Sequence, residues 1–211
     1  MATASSSPGP SPAAELGRLY LITGARPDLP GFLEAAVRGG VDLVQVRDRD
    51  LPDRELLAVL EAAREVTRRL GVPLVVNDRP DLAVLVGADL VHVGQDDLPV
   101  EAVRRFGLPV GLSTHSPEQL ARARADYVGV GPVYATPTKE GRPGVGLEYV
   151  RHAAAHARVP WFAIGGIDET NVAEVVAAGA GRIAVVRAIG EAADPERAAR
   201  ALRAALPPTS A

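Results

Sequence analysis

The chain has 211 residues, no cysteine and a formal net charge of −3. Without cysteine, disulfides, thiolate nucleophiles and Cys-ligated metals are excluded. A slightly acidic balance argues against a general nucleic-acid binder, which carries a basic face, and no apolar run reaches the roughly 18 residues of a membrane span.

Residues 1–16 are rich in Ser, Pro and Ala, which predicts a disordered tail. They carry no basic segment followed by an apolar one, so no secretory signal is expected and the chain reads as cytoplasmic. Short apolar runs then recur: "LYLIT" (19–23), "DLVQVR" (42–47), "PLVVN" (73–77), "LVHV" (90–93), "PVGLS" (109–113), "YVGVG" (127–131), "WFAIGG" (161–166) and "RIAVV" (182–186). Each is nearly continuous in hydrophobicity and rich in β-branched residues, the mark of a strand buried on both faces. Between them lie amphipathic stretches such as 51–71 and 170–180, which place apolar residues at helical spacing. Residues 207–211, "PPTSA", read as a second tail.

Eight strands alternating with helices predict an α/β protein, a compact single-domain (β/α)8 TIM barrel over residues 17–206. The rival is an open doubly wound sheet, disfavoured because no Gly-x-Gly-x-x-Gly follows the first strand.

In such a barrel the active site lies at the C-terminal ends of the strands. Strand 2 ends in Gln45, Arg47 and Arg49; alternation with Val44 and Val46 turns Gln45 and Arg47 toward the lumen. They either satisfy each other or a buried acid, or meet an anionic ligand. Strand 3 ends in Asn77-Asp78, and strand 4 leads to Asp96-Asp97. Asp78 and Asp97 are hard oxygen donors suited to Mg²⁺, although each also stands before a helix, where Asp is a favoured cap. Asp96 is the weaker ligand candidate. Strand 5 ends in Ser113 and His115, the latter a candidate general base. His92 lies inside an apolar strand and suits a core or lumen position, while His152 and His156 share an outer helix face. The turns "AIGGI" (163–167) and "AVVRAI" (184–189) follow strands 7 and 8, where backbone N–H groups commonly hold phosphate.

The segment "YATPTKEGRPGVG" (134–146) is the longest loop at this end. It contains Lys139, the only lysine beside 22 arginines. With Thr136 and Thr138 it reads as a phosphate-gripping lid in which a compact ammonium is wanted rather than a planar guanidinium.

At these residues the sequence resembles the thiamine-phosphate synthase family. "VQVRDRD", "VND", "HVGQDD", "GLSTH", "GPVYATPTK", "FAIGGI" and "VVRAI" stand in the family's order, and the resemblance covers residues 17–206. It implies condensation of 4-amino-2-methyl-5-hydroxymethylpyrimidine diphosphate with a thiazole monophosphate, giving thiamine monophosphate and pyrophosphate. It further implies that Gln45, Arg47, Arg49, Asn77, Ser113 and Lys139 contact the pyrimidine diphosphate, with Arg47, Lys139 and Ser113 as the catalytic contacts. Asp78 and Asp97 would hold Mg²⁺, and Thr136, Thr138, Gly166, Val186 and Arg187 the thiazole phosphate. Arg49 departs from the family's usual Lys, and Arg187 from its usual Ser. The partners implied are small molecules, neither nucleic acid nor membrane, and the apolar outer helices permit a homodimer. Two rivals stand beside this reading: a thiazole tautomerase using His115, and a non-catalytic barrel that senses phosphorylated ligands.

Overall fold

The computed structural model describes residues 16–135 and 144–208. Eight strands, Leu19–Thr23 (β1), Leu43–Val46 (β2), Leu74–Asn77 (β3), Leu90–Val93 (β4), Val110–Thr114 (β5), Tyr127–Val130 (β6), Trp161–Ile164 (β7) and Ile183–Val185 (β8), run parallel in sequence order. β8 pairs with β1, so the barrel closes. The helices described are Leu29–Arg38 (α1), Asp53–Leu70 (α2), Pro80–Val86 (α3), Val100–Val103 (α4), Pro117–Arg122 (α5), Gly146–His156 (α6), Val172–Ala177 (α7), Arg187–Gly190 (α8) and Pro195–Ala205 (α9). No helix among the described residues is long and apolar enough to cross a membrane.

The strands read as unbroken apolar runs because both faces are covered. Outward residues such as Leu21, Val44, Val76, Val91, Val128 and Val185 pack beneath the helices. α2 turns Leu56, Leu60, Ala63 and Val66 inward at helical spacing and leaves its charged face to water. The lumen holds a second apolar cluster of Leu16, Tyr20, Ile22, Leu43, Val75, Leu90, Tyr127, Phe162 and Ala184. Leu16, the last residue of the predicted N-terminal tail, is thus buried in this cluster. The rings of Tyr20, Tyr127 and Phe162 meet edge to face, with centroids 5.1–6.2 Å apart. Room for Tyr127 comes from the facing Gly111, where a Cβ would stand 2.1 Å from the ring.

At the N-terminal end of the barrel, an aspartate stands directly before β2, β4 and β6. Asp42 before β2 accepts from the backbone N–H groups of Arg18 (2.7 Å) and Leu19 (2.8 Å) at the head of β1, and from Arg203 of α9 (2.6 Å). Asp89 before β4 accepts from Leu74 N–H (2.8 Å) and Arg64 (2.7 Å). Asp126 before β6 accepts from Val110 N–H (2.8 Å) and pairs with Arg104 (3.1 Å). Before β8 the corresponding residue is Arg182, which reaches the Leu16 carbonyl instead (3.4 Å). Each aspartate ties a strand pair to the helical layer. Asp42→Ala strands two N–H groups and an arginine, so we expect a loss of about 2 kcal/mol, seen as a fall of about 4–8 °C in Tm with unchanged activity.

Candidate active site

The C-terminal end of the barrel opens into a cleft with two halves. One, of about 470 Å³, is lined by Gln45, Arg47, Arg49, Asn77, Asp78, Asp97, Ser113 and His115, among others. The other, of about 280 Å³, is lined by the β7 and β8 turns, including Gly165, Gly166, Val186 and Arg187. Ile164 and Val186 line both, so the halves are continuous.

Gln45 is buried, and its Nε2 donates to the Tyr20 hydroxyl. It does not pair with Arg47. Arg47 begins the loop after β2 and is tied down through its backbone N–H to Thr23 O (2.8 Å). Its guanidinium makes no ion pair among the described residues, although burial, and then the charge of Arg49, pull its pKa below the ordinary value. An arginine in such a place stays protonated, so the cleft contains a partly desolvated positive charge facing open volume. The alternative that Gln45 and Arg47 satisfy each other or a buried acid is therefore not what the fold builds.

Arg49 is spoken for. Its Nε and Nη2 donate to Asp78 Oδ2 at 3.0 and 2.7 Å, and its Nη2 also reaches Asp97 Oδ2 at 3.3 Å. The guanidinium bridges the two carboxylates proposed from sequence as metal ligands.

Neither aspartate caps a helix. α3 begins with Arg79 at its cap position and α4 with Pro99. Asp78 instead adopts φ +60°, the only non-glycine in the left-handed region among the described residues. This conformation is sparsely populated for L-residues and costs free energy that functional sites tend to hold. Its backbone is fixed by donation from Asp78 N–H to His92 O (2.8 Å). Its Oδ1 is buried and accepts no hydrogen bond among the described residues. Burial, and then Asp97, raise the Asp78 pKa above the ordinary carboxylate range, against the pull of Arg49. At Asp97, desolvation would raise the pKa, but the hydrogen bonds from Asp78 and Gly94 N–H, with the charges of Arg49 and Arg47, outweigh it and the net shift is downward. Gly94 N–H lies 2.8 Å from Asp97 Oδ2.

This donor set suits Mg²⁺: two hard carboxylates on neighbouring strand ends, one with an orphaned buried oxygen. Among the described residues no third His, Cys, Asp or Glu completes a protein cage. Remaining ligands would be water and substrate oxygen, which is the usual way Mg²⁺ sits beside phosphate.

Ser113 and His92 stand side by side on β5 and β4, with Ser113 Oγ 3.0 Å from His92 Nε2. His92 Nδ1 lies 3.1 Å from the Tyr127 hydroxyl, which is 3.1 Å from that of Tyr20. His92 therefore takes the lumen position among the alternatives raised for it. Tyr20 and Tyr127 are not singled out by the apolar runs that contain them; a hydroxyl-bearing ring at a lumen-facing strand position is the signal that marks them. His115 Nδ1 faces the Gly131 carbonyl, which requires an N–H there, and its backbone N–H donates to Gln119 Oε1 at 2.7 Å. His156 Nδ1 lies 2.9 Å from the His152 carbonyl on α6, away from this end of the barrel.

In the second half, Gly165 and Gly166 adopt φ +104° and +65°. A Cβ on Gly165 would lie 2.5 Å from Pro132, and one on Gly166 2.8 Å from Tyr134. The turn is thus both left-handed and in close contact, two reasons for glycine. The Gly166 carbonyl accepts from Asn171 Nδ2 at 2.8 Å. Val186 precedes α8 and provides no side-chain cap, so the first N–H groups of α8 have no partner within the helix. Thr136, Thr138 and Lys139 lie outside the described residues, as do the outer parts of both expected tails.

The family profile described as thiamine monophosphate synthase matches residues 19–189. The chain belongs to that family. A thiamine-phosphate synthase from Thermus thermophilus is 56% identical over 198 residues, spanning 89% of this chain and 96% of the relative. One from Thermobifida fusca is 52% identical over 200 residues, spanning 90% and 92%. Among solved structures, a thiamine phosphate pyrophosphorylase from Pyrococcus furiosus aligns with a TM-score of 0.82 at 33% identity, covering 89% of this chain and 94% of that one. The thiamine monophosphate synthase match runs through both halves of the cleft, from Gln45 on β2 to Arg187 on α8.

Proposed function

We infer that the protein is a transferase that joins 4-amino-2-methyl-5-hydroxymethylpyrimidine diphosphate to a thiazole monophosphate, releasing thiamine monophosphate and pyrophosphate. The observation that carries this reading is the pairing of two anion-receptive halves in one continuous cleft. One has Arg47, without an ion pair among the described residues, beside Asp78 and Asp97, and the other has the Gly165–Gly166 turn and the start of α8. A diphosphate and a monophosphate would lie side by side, with Ile164 and Val186 between them.

Pyrophosphate leaves readily only when its developing charge is neutralised. Arg47 would supply charge there without first giving up an ion pair among the described residues. Arg49 would exchange its carboxylates for phosphate oxygens, which would leave Asp78 and Asp97 free to hold a cation. Mg²⁺, held by those two aspartates, would supply further charge neutralisation on the diphosphate. Ser113 would donate to a diphosphate oxygen, and Lys139, Thr136 and Thr138 are assigned to phosphate contacts on the family resemblance. As the C–O bond breaks, the methylene carbon becomes a cation stabilised by the amino-substituted ring, and the thiazole nitrogen attacks it. The apolar side chains of Ile164 and Val186 would keep water from that carbon. No protein nucleophile or general base is needed, which leaves His115 a positioning group rather than an acid–base catalyst. Action in the cytoplasm belongs to the same reading.

Incubation with both substrates, in Mg²⁺ or in EDTA, tests it. We expect thiamine monophosphate and pyrophosphate in equal amounts with Mg²⁺ and neither in EDTA. No product in either condition would overturn the assignment.

A further inference from the structure

Five polar groups from five strands form one unbroken chain across the lumen: Gln45, Tyr20, Tyr127, His92 and Ser113. Gln45 Nε2 meets the Tyr20 hydroxyl, the two tyrosine hydroxyls lie 3.1 Å apart, His92 Nδ1 is 3.1 Å from Tyr127, and His92 Nε2 is 3.0 Å from Ser113 Oγ. Both tyrosines are buried at the centre of the barrel. Burial raises both phenol pKa values far above the ordinary one, so each hydroxyl keeps its single proton.

With His92 as the neutral imidazole, two arrangements of protons satisfy such a chain. Each tyrosine has one proton to give, and a neutral imidazole donates from one nitrogen and accepts at the other. If Ser113 gives its proton to a ligand, His92 Nε2–H must donate to Ser113. His92 Nδ1 must then accept from Tyr127, Tyr127 from Tyr20, and Tyr20 from Gln45 Nε2–H, which leaves Gln45 Oε1 for the ligand. If Ser113 instead donates to His92, every bond reverses and Gln45 offers its N–H₂. In both arrangements the two ends present opposite characters, one donor and one acceptor.

We propose that this chain makes Tyr20, Tyr127 and His92 specificity-determining positioning residues, through which a diphosphate at Ser113 obliges Gln45 to present an acceptor and so to select a ring bearing an amino group over one bearing a carbonyl. The inference rests on the proposed function of the cleft, in which Ser113 meets the diphosphate and Gln45 the ring. Phosphate oxygens ionised at neutral pH only accept, so a bound diphosphate requires the first arrangement. That arrangement is the one in which Gln45 turns Nε2 to Tyr20. A 4-oxo ring would then place its carbonyl against Gln45 Oε1, two acceptors face to face, and reversing the chain would strand the diphosphate at an acceptor.

The test compares kcat/KM for the 4-amino pyrimidine diphosphate with that for its 4-oxo analogue in the wild type, Ser113→Ala and Tyr127→Phe. In the wild type we expect a preference for the amino compound of about 10³ or more, the scale on which a site built to bond a polar group rejects its mismatch. Both variants lose activity, but the distinguishing result is that both narrow the preference at least about tenfold, because Gln45 is released to turn its amide group. Where turnover is slow, the ratio of Kd values from calorimetry carries the same readout. Tyr127→Phe changes the core, so its thermal unfolding is recorded alongside; Ser113→Ala removes only a hydroxyl in the cleft and decides the matter if Tyr127→Phe does not fold. A preference unchanged in Ser113→Ala overturns the proposal even if activity drops, since a residue acting on the diphosphate alone would lower both substrates together. A wild type that turns over neither compound overturns the assignment of function instead.

Discussion

Replacing Arg47 with Met lowers kcat/KM by about 10²–10³, the loss seen when one preorganised group aimed at developing charge is removed, and leaves thermal stability equal to or above that of the wild type. The two halves of this expectation have one cause. Arg47 is partly desolvated and faces Arg49 without an ion pair of its own among the described residues, so in the ligand-free protein its charge is held at a cost. A neutral side chain of similar length keeps the packing of the stem and removes that cost. On the proposed function the charge would meet its partner when the diphosphate binds, and the benefit would grow as the C–O bond breaks. Steady-state kinetics and a melting curve on the same preparation check both. A variant that loses stability and keeps its activity would make Arg47 a structural residue and sink the account of the cleft. Arg47→Lys should fall between, because it keeps the charge and loses the fork.

Asp78→Asn abolishes Mg²⁺-dependent turnover, a loss of more than about a hundredfold on the several kcal/mol that metal-assisted charge neutralisation supplies, yet it does not lower Tm in EDTA. Asparagine tolerates the left-handed conformation at φ +60° as well as aspartate does. The sign comes from the carboxyl itself. Its folded pKa is above the unfolded one, so its contribution is fully present below the unfolded value and is lost as pH rises through the folded value. Above its folded pKa the ionised group therefore works against folding, and the neutral amide relieves it. Asp97 has the opposite sign: its folded pKa is below the unfolded one, so its contribution is present above the unfolded value and lost as pH falls through the folded value. Asp97→Asn should accordingly lower Tm at neutral pH, besides abolishing turnover. Melting curves in EDTA and in Mg²⁺ separate these effects, and the stabilisation by Mg²⁺ itself, which obeys mass action, should vanish in both variants. Equal and opposite results, with Asp78→Asn the destabilised one, would reverse our assignment of which carboxylate is strained.

The eight strands were legible because burial on both faces leaves no room for a polar alternation, and each apolar run falls on a strand of the barrel to within one or two residues. The polar residues at the ends of those runs were legible for a related reason. A parallel strand in this fold delivers its C-terminal end to one face, so the residues at and just after each run's end bring together Gln45, Arg47, Asn77, Asp78, Asp97 and Ser113 without any knowledge of distance. What those residues do to each other was not legible. Asp78 could have capped α3; the helix starts after Arg79, and the aspartate turns left-handed into the cleft. Arg49 could have waited for phosphate; it bridges Asp78 and Asp97. The repeated aspartate of "DLVQV", "DLVHV" and "DYVGV" stands in plain view in the chain, but its partners are the N–H groups of the preceding strand, placed beside it only by the parallel register.

By itself, then, the sequence determined the class of fold, the end of the barrel that holds the candidate site and the residue types gathered there, because these depend on local periodicity and chain direction. The tertiary structure alone decided the pairings. Tyr20 and Tyr127 are 107 residues apart, yet their hydroxyls meet at 3.1 Å, since the side chains that face one another across a closed barrel are set by the stagger between all eight strands, a quantity no single segment carries.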